Sequence, residues 1–341
     1  MPLLVSSLRG WSSLPDIFVS FFGSSPNVFW LDRSHHPTSG FSVIGAGVET
    51  NQIDPATDYD GEAALHFRPY LVGVLSYLEQ ELRGHFLRVD RAIVYEHATS
   101  MLHFVGDCSK AEFDAWFYAA LLRLALVGGN AGSYELEHPA ATSPLLTPDD
   151  RETEYLSKIA TAQLHIARGD VYQLCLTTRL RGIFSGDPLS YFLRLRKDHS
   201  APYAAFIRVG DVSYVSISPE RLIEVHGTRV LSSPIKGTRR RGSNQEEDLS
   251  LISELAADPK ERAENLMIVD LMRNDLGRVS EVDTVVVEKL FDVEQYATVH
   301  QLVSTVSAQL NPKTSVRELI AAAFPGGSMT GAPKVRAMQL I

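Results

Sequence analysis

The stretch YAAFIRVGDVSYVSISPERLIEVHGTRVLS, residues 203–232, decides the fold class. Apolar and β-branched residues mark strands at 203–209, 212–217, 221–225 and 229–232, and Gly210 and Gly227 supply tight turns. Strands joined this closely pair antiparallel, because a parallel pair needs a long crossover. Downstream, 245–257 and 259–276 read as helices, 282–288 as a strand and 316–324 as a helix, and a last helix begins near Pro333. Runs of strands followed by separate helices give an α+β fold with a largely antiparallel sheet rather than a doubly wound one.

Upstream, Thr147-Pro148-Asp149-Asp150 reads as a helix start, with Thr as cap and Pro in the first turn. Tyr155, Ile159 and Ile166 continue an apolar stripe that Gly169 ends, and 171–180 reads as a strand. Nearer the N-terminus, 28–31 is a strand, 92–95 and 101–105 form a hairpin, and 111–127 is a helix. Residues 128–143, rich in Gly, Ala and Ser, read as a linker, which divides the chain into 1–140 and 147–341.

The formal charge of -9 argues against a nucleic-acid partner, and an anionic substrate would need local positive charge. Cys108 and Cys175 belong to no CxxC or Cys/His cluster, so neither a disulfide framework nor a zinc site is expected. The N-terminus lacks the pattern of a signal peptide, and no stretch reaches the length of a membrane span. A cytoplasmic protein is the expectation.

Several segments carry candidate chemistry. Pro325-Gly326-Gly327-Ser328-Met329-Thr330-Gly331-Ala332-Pro333-Lys334 joins two helices. Its glycines and the backbone N–H groups at the next helix start suit an anion; a plain helix connection is the competing reading, and a Walker loop is excluded. In 258–265, Glu261 and Glu264 share one helix face and can hold part of a Mg²⁺ shell, although Asp258 and Glu261 also resemble a capping pair. Lys236 precedes Gly237-Thr238-Arg239-Arg240-Arg241, where like charge disfavours an ammonium, one way to obtain a nucleophilic amine; on charge alone the plainer reading, a basic solvated loop or a carboxylate-binding lysine, prevails. Gln173, Glu220 and His300 are ambiguous singly.

Together and in this order, the segments 166–173, 218–221 (SPER), 234–241, 261–277 (ERAENLMIVDLMRNDLG), 299–302 and 325–341 (PGGSMTGAPKVRAMQLI) resemble component I of anthranilate synthase and of aminodeoxychorismate synthase. The match before 140 is looser, resting on 29–32 and the region before Glu79. The resemblance implies an antiparallel β-sandwich flanked by helices, and chorismate and Mg²⁺ as ligands. It implies Glu261 and Glu264 as metal ligands. It implies Gly237, Thr238 and Thr330, with Gly331, Lys334 and Gln173 beside them, as substrate contacts. It puts His300 near the departing hydroxyl and Glu220 at a general-acid position. A lysine at 173 would activate water, so Gln173 disfavours water addition. Lys236 matches the aminodeoxychorismate synthases, where such a lysine attacks ring carbon 2, the 4-hydroxyl leaves, and ammonia adds at carbon 4. The implied product is 4-amino-4-deoxychorismate, on the route to 4-aminobenzoate and folate. The implied ammonia source is a glutamine amidotransferase subunit, component II, since neither cysteine sits in a nucleophile elbow.

The competing expectations are anthranilate synthase component I with Lys236 incidental, and a non-catalytic chorismate-binding subunit or inactive fragment. The last helix carries Val335, Met338 and Ile341 on one stripe and stops uncapped. The resemblance implies further strands beyond it, bearing an arginine, a tyrosine and a second glutamate pair. The chain is therefore expected to lack its C-terminal strands and to be weakly active alone.

Overall fold

The structure is a computed structural model describing residues 3–10, 12–35, 40–50, 67, 69–77, 84–140, 145–199 and 201–341. The described residues of Met1–Asp54, Glu62–Ser143 and Phe184–Pro219 form one compact unit; those of Pro144–Ile183 and Glu220–Ile341 form another.

The first unit is built on seven strands, in the order Leu4–Arg9, Met101–Gly106, Arg91–Glu96, Phe41–Ala46, Asn27–Asp32, Tyr203–Val209, Val212–Ser218, every neighbour antiparallel. The two-residue period of each strand sorts its side chains onto two faces. Phe206, Trp30, Ile44, Ile93 and Phe104 lie in register across one face and pack on helices Leu14–Phe22, Lys110–Leu124 and Pro188–Asp198. Phe29, Val43, Val94, Val105 and Ile207 line the other face, against Val72 and Leu87 of a three-stranded sheet of Val48–Thr50, Leu71–Leu75 and Gly84–Arg88. At the end of one strand, Asp32 is 1% exposed and receives Arg196 Nε at 2.6 Å, Ser42 Oγ at 2.8 Å and Ser34 Oγ at 2.8 Å.

In the second unit, the long Val299–Gln309 strand pairs on one side with Arg229–Ser232 and Ile235–Arg240, and on the other with Val286–Gln295. Glu224–His226 extends the sheet beyond Arg229–Ser232. The Pro259–Gly277 helix lays Ile268, Val269, Met272 and Leu276 on Val230, Val306, Ala308 and Leu319. The α+β architecture with antiparallel main sheets agrees with the sequence.

Some elements differ from the sequence reading. Thr147-Pro148 is a short strand paired with Leu180–Arg181, because the Asp149 carboxylate takes Arg181 at 2.6 and 3.1 Å instead of serving a helix. The helix starts later, at Glu152. Of the expected strand 171–180, only Gln173–Leu174 and Leu180–Arg181 are extended and paired. The strand placed at 282–288 runs Val286–Gln295, and that at 221–225 shrinks to Glu224–His226. Within the expected linker, Asn130–Glu137 is a helix: Ala131 and Tyr134 pack on the first unit's core, and Ala131 N–H donates to Asp16 at 2.8 Å. Residues 141–143, like Leu78 and Glu79, lie outside the described residues. The unit boundary falls near that linker, yet 184–219 returns to the first unit because Tyr203–Val209 pairs with Asn27–Asp32. No helix among the described residues is long and apolar enough to cross a membrane.

Candidate active site

Lys236 sits on the Ile235–Arg240 strand where its pairing slips. Ile235 opposes Val303 and Thr238 opposes Gln301, so Lys236 and Gly237 form a bulge, which re-aims side chains. Gly237 has φ +94°, a backbone conformation that disfavours a side chain. The same glycine lets the next helix approach: an added Cβ would lie 3.0 Å from Glu261 Cβ and 3.1 Å from Glu261 Oε2. Gly237→Ala is therefore expected to cost about 1–3 kcal/mol from backbone strain and crowding, read by urea denaturation. Unchanged stability would mean the bulge relaxes without penalty.

Lys236 Nζ donates to Ser328 O at 3.3 Å, and Ser328 Oγ donates to Glu220 Oε1 at 2.9 Å. One residue of the 325–334 loop thus bridges the amine and the carboxyl. Burial pushes the Glu220 carboxyl above its usual range, against the pull of Ser328, the Ile235 N–H and Lys236. The neighbouring arginines are not aimed at the amine. Arg239 is held by Glu254, Asp258 and Glu261, Arg240 by Glu247, and Arg241 by Asp248. The reading of Lys236 as crowded by like charge is replaced by a lysine facing a carboxyl.

Asp258 caps the Pro259–Gly277 helix, accepting from the Lys260 and Glu261 N–H groups at 2.9 and 3.1 Å. The Glu261 carboxylate points instead to Gly237 and Arg239, the latter at 3.4 Å, and Glu264 lies 3.2 Å from Lys260 Nζ. Among the described residues, no group of three or more His, Cys, Asp or Glu is gathered in a metal-holding arrangement. Two carboxylates on one helix face nonetheless suit Mg²⁺, which takes few protein oxygens and fills its shell with water and substrate oxygens.

The 325–334 loop folds as a short 3₁₀ turn, Gly327–Met329, and a two-residue strand, Gly331–Ala332, paired with Gln173–Leu174. Gly331 has φ +143°, and a Cβ there would meet Gln173 O at 2.2 Å, so the strand pairing requires glycine. Thr330 is buried, its hydroxyl donating to Gly326 O at 3.2 Å, whereas Thr238 is exposed. Gln173 Oε1 is buried without a hydrogen-bond partner. Lys334 Nζ forms an ion pair with Asp275 at 2.5 Å and donates to Ala322 O and Ala323 O, at the end of the Val316–Ala323 helix. That ties two helices together and occupies the ammonium. His300 is fully buried, with Nε2 2.8 Å from Asp248 Oδ1.

Sequence reasoning passed over Ser328, Asp248 and Asn265. Asn265 is fully buried; Nδ2 donates to Pro234 O and Leu302 O, and Oδ1 accepts from Ser304 Oγ at 2.5 Å. The amide thus holds the base of the Lys236 strand to its neighbour. Its signal was legible: an amide in line with Ile268 and Met272 on a helix's apolar face marks a buried polar contact.

The model of the chorismate binding enzyme family matches residues 50–341. An aminodeoxychorismate synthase of Streptomyces griseus is 46% identical over 258 residues, covering 74% of this chain and 35% of that protein. An anthranilate synthase component 1 of Streptomyces coelicolor is 36% identical over 328 residues, covering 91% of this chain and 61% of its own length. Among solved structures, anthranilate synthase component I from Streptococcus pneumoniae superposes with a TM-score of 0.73 at 24% identity, over 100% of this chain and 77% of that one, a likeness of fold. The chain thus spans about a third of the first relative's length and under two thirds of the second's.

Proposed function

This chain belongs to the chorismate-binding enzyme family, and on that premise we propose that it aminates chorismate at carbon 4 to give 4-amino-4-deoxychorismate, the precursor of 4-aminobenzoate. The observation that carries the reading is the convergence of Lys236 and Glu220 on Ser328. In the proposed reaction, the Lys236 amine bonds to ring carbon 2 as the ring double bonds shift and the carbon 4–oxygen bond breaks. Glu220, whose carboxyl burial pushes above its usual range, donates the proton that lets the hydroxyl leave as water. Ammonia then bonds to carbon 4, the double bonds shift back, and the carbon–Lys236 bond breaks. The new carbon 4 ammonium then loses one proton, which returns to Glu220 or solvent, and Lys236 leaves as the neutral amine it began as.

Gly237, Thr238, Thr330 and Gly331 are the proposed contacts for the substrate carboxylates. Glu261 and Glu264 would hold Mg²⁺, which supplies positive charge to a substrate carboxylate. Lys334, committed to Asp275, serves by fixing the loop. Ammonia is proposed to come from a separate glutamine amidotransferase subunit; the name of the Streptomyces coelicolor relative, a component 1, supports a partner. That relative also covers more of this chain and favours a second reading, anthranilate synthesis. Incubation with chorismate, Mg²⁺ and ammonium separates the two by product: 4-amino-4-deoxychorismate supports the proposal, and anthranilate overturns it.

The metal assignment has its own test. Glu261→Gln and Glu264→Gln are each expected to shift the Mg²⁺ titration of turnover to higher concentration by about tenfold or more, because each removes one charged oxygen ligand. Loss of only the Arg239–Glu261 and Lys260–Glu264 ion pairs would cost about 1 kcal/mol of stability or less and leave that titration in place. Wild-type titrations in both variants would return these carboxylates to the surface.

A further inference from the structure

The two ring nitrogens of His300 have opposite fates. Nε2 lies 2.8 Å from Asp248 Oδ1, while Nδ1 is buried with no hydrogen-bond partner. Asp248 accepts three further hydrogen bonds: Arg241 donates from Nε and Nη2 at 3.0 and 2.6 Å, and the Gly242 N–H donates at 2.7 Å. Arg241 and then the Gly242 N–H hold this carboxyl well below the usual range. Arg241 is itself anchored, donating from Nη1 to Tyr296 O at 2.6 Å. An ionised carboxylate only accepts hydrogen bonds, so the proton in the Asp248–His300 contact belongs to Nε2. In the neutral ring, Nδ1 is then an uncovered lone pair. A buried acceptor left unpaired is costly and calls for a reason.

We propose that Asp248 is the positioning residue of this site: it fixes His300 in the Nε2–H tautomer and so reserves Nδ1 as the lone pair that takes the proton shed by the new carbon 4 ammonium and passes it on to Glu220 or solvent. The inference rests on reading His300 as a site residue. Tying one ring nitrogen to a carboxylate sets both the tautomer and the orientation of the other. Nδ1 meets no hydrogen-bond partner among the described residues, which leaves it for a group that the substrate brings. Were Asp248 present only to clamp Arg241 and the turn at Gly242, the His300 tautomer would be immaterial to the rate.

Long-range proton–nitrogen NMR spectra of the full chain labelled with ¹⁵N-histidine test this directly, with His300 assigned among the 11 histidines by its loss in His300→Gln. The wild type is expected to show the Nε2–H ring. Asp248→Asn is expected to mix or reverse the tautomer and to lower kcat on the order of 10–100-fold with KM little changed. In the double variant with His300→Gln, Asp248→Asn should add almost nothing, since it acts through the ring. A wild-type ring protonated on Nδ1, an unchanged tautomer in Asp248→Asn, or independent multiplicative effects on kcat would each overturn the proposal. If Asp248→Asn fails to fold, the wild-type spectrum still decides. Wild-type turnover in His300→Gln would instead overturn the site reading of His300, and the Nε2–H spectrum would show which of the two had failed.

Discussion

Lys236→Ala is expected to lose ammonia-dependent turnover of chorismate on the order of 1000-fold or more, the scale at which removal of a covalent nucleophile leaves only binding and electrostatics. The fold should barely notice. Lys236 is partly buried and donates one hydrogen bond, to Ser328 O at 3.3 Å, worth about 1 kcal/mol. Lys236→Arg separates charge from chemistry: it keeps a cation near Glu220 but offers no amine able to bond to carbon and leave again, so it should be as inactive as alanine. Intact-mass spectra with ammonia withheld should show a wild-type adduct of chorismate less one water, absent from both variants. Turnover of Lys236→Ala at the wild-type rate, or an adduct that persists in it, would sink the nucleophile assignment and leave Lys236 as a substrate-carboxylate contact.

The largest stability effect is expected far from this chemistry, at Asp32. Removing its carboxylate in Asp32→Ala leaves the Arg196 guanidinium, itself 17% exposed, without its ionic partner, and strips Ser42 and Ser34 of their acceptor. Breaking one side of a buried ion pair costs about 3–5 kcal/mol. The effect has a pH signature. Burial alone would raise the Asp32 pKa, but Arg196, Ser34 and Ser42 outweigh it and hold the value below the ordinary one. The unfolded chain therefore takes up its proton first as pH falls. The stabilisation is fully present above the unfolded pKa, near 3.8, and is lost as pH drops through the folded value. Urea denaturation of wild type and Asp32→Ala should differ by the full amount near neutrality and converge in strong acid. A difference under about 1 kcal/mol at neutral pH would mean that water replaces the carboxylate.

Much of this was legible in the sequence where the signal is local. The strands at 203–209, 212–217 and 229–232 announce themselves by composition and by Gly210 and Gly227, and the helix 259–277 by Asp258 and its inner stripe. Non-local pairing was not legible. Nothing near Tyr203 says that it belongs beside Asn27–Asp32, or that the partner of Asp32 stands 164 positions away. The start at Thr147 looked like a cap because capping and strand-end ion pairing use the same residues; Arg181 decided between them. At the candidate site, sequence supplied Lys236, Glu220 and the loop but misjudged what surrounds the lysine. Sequence spacing puts three arginines beside it, whereas geometry hands each of them to a carboxylate on the helices that follow.

The bulge at Lys236 and Gly237 bears on how such a site can change over time. On the near side of it, strand register follows Ile235 opposite Val303; on the far side, Thr238 opposite Gln301 starts a new phase that delivers Arg239 to Glu254, Asp258 and Glu261. Losing one residue here would erase the bulge: Thr238 would still face Gln301, but the re-aiming of Lys236 and the positive-φ turn at Gly237 that admits Glu261 would be lost. Exchanging the side chain at 236 disturbs neither half. Chemistry at this position is therefore open to revision by point mutation but closed to insertion and deletion, and libraries meant to alter the reaction should vary residue identity at 236 while holding the segment's length constant.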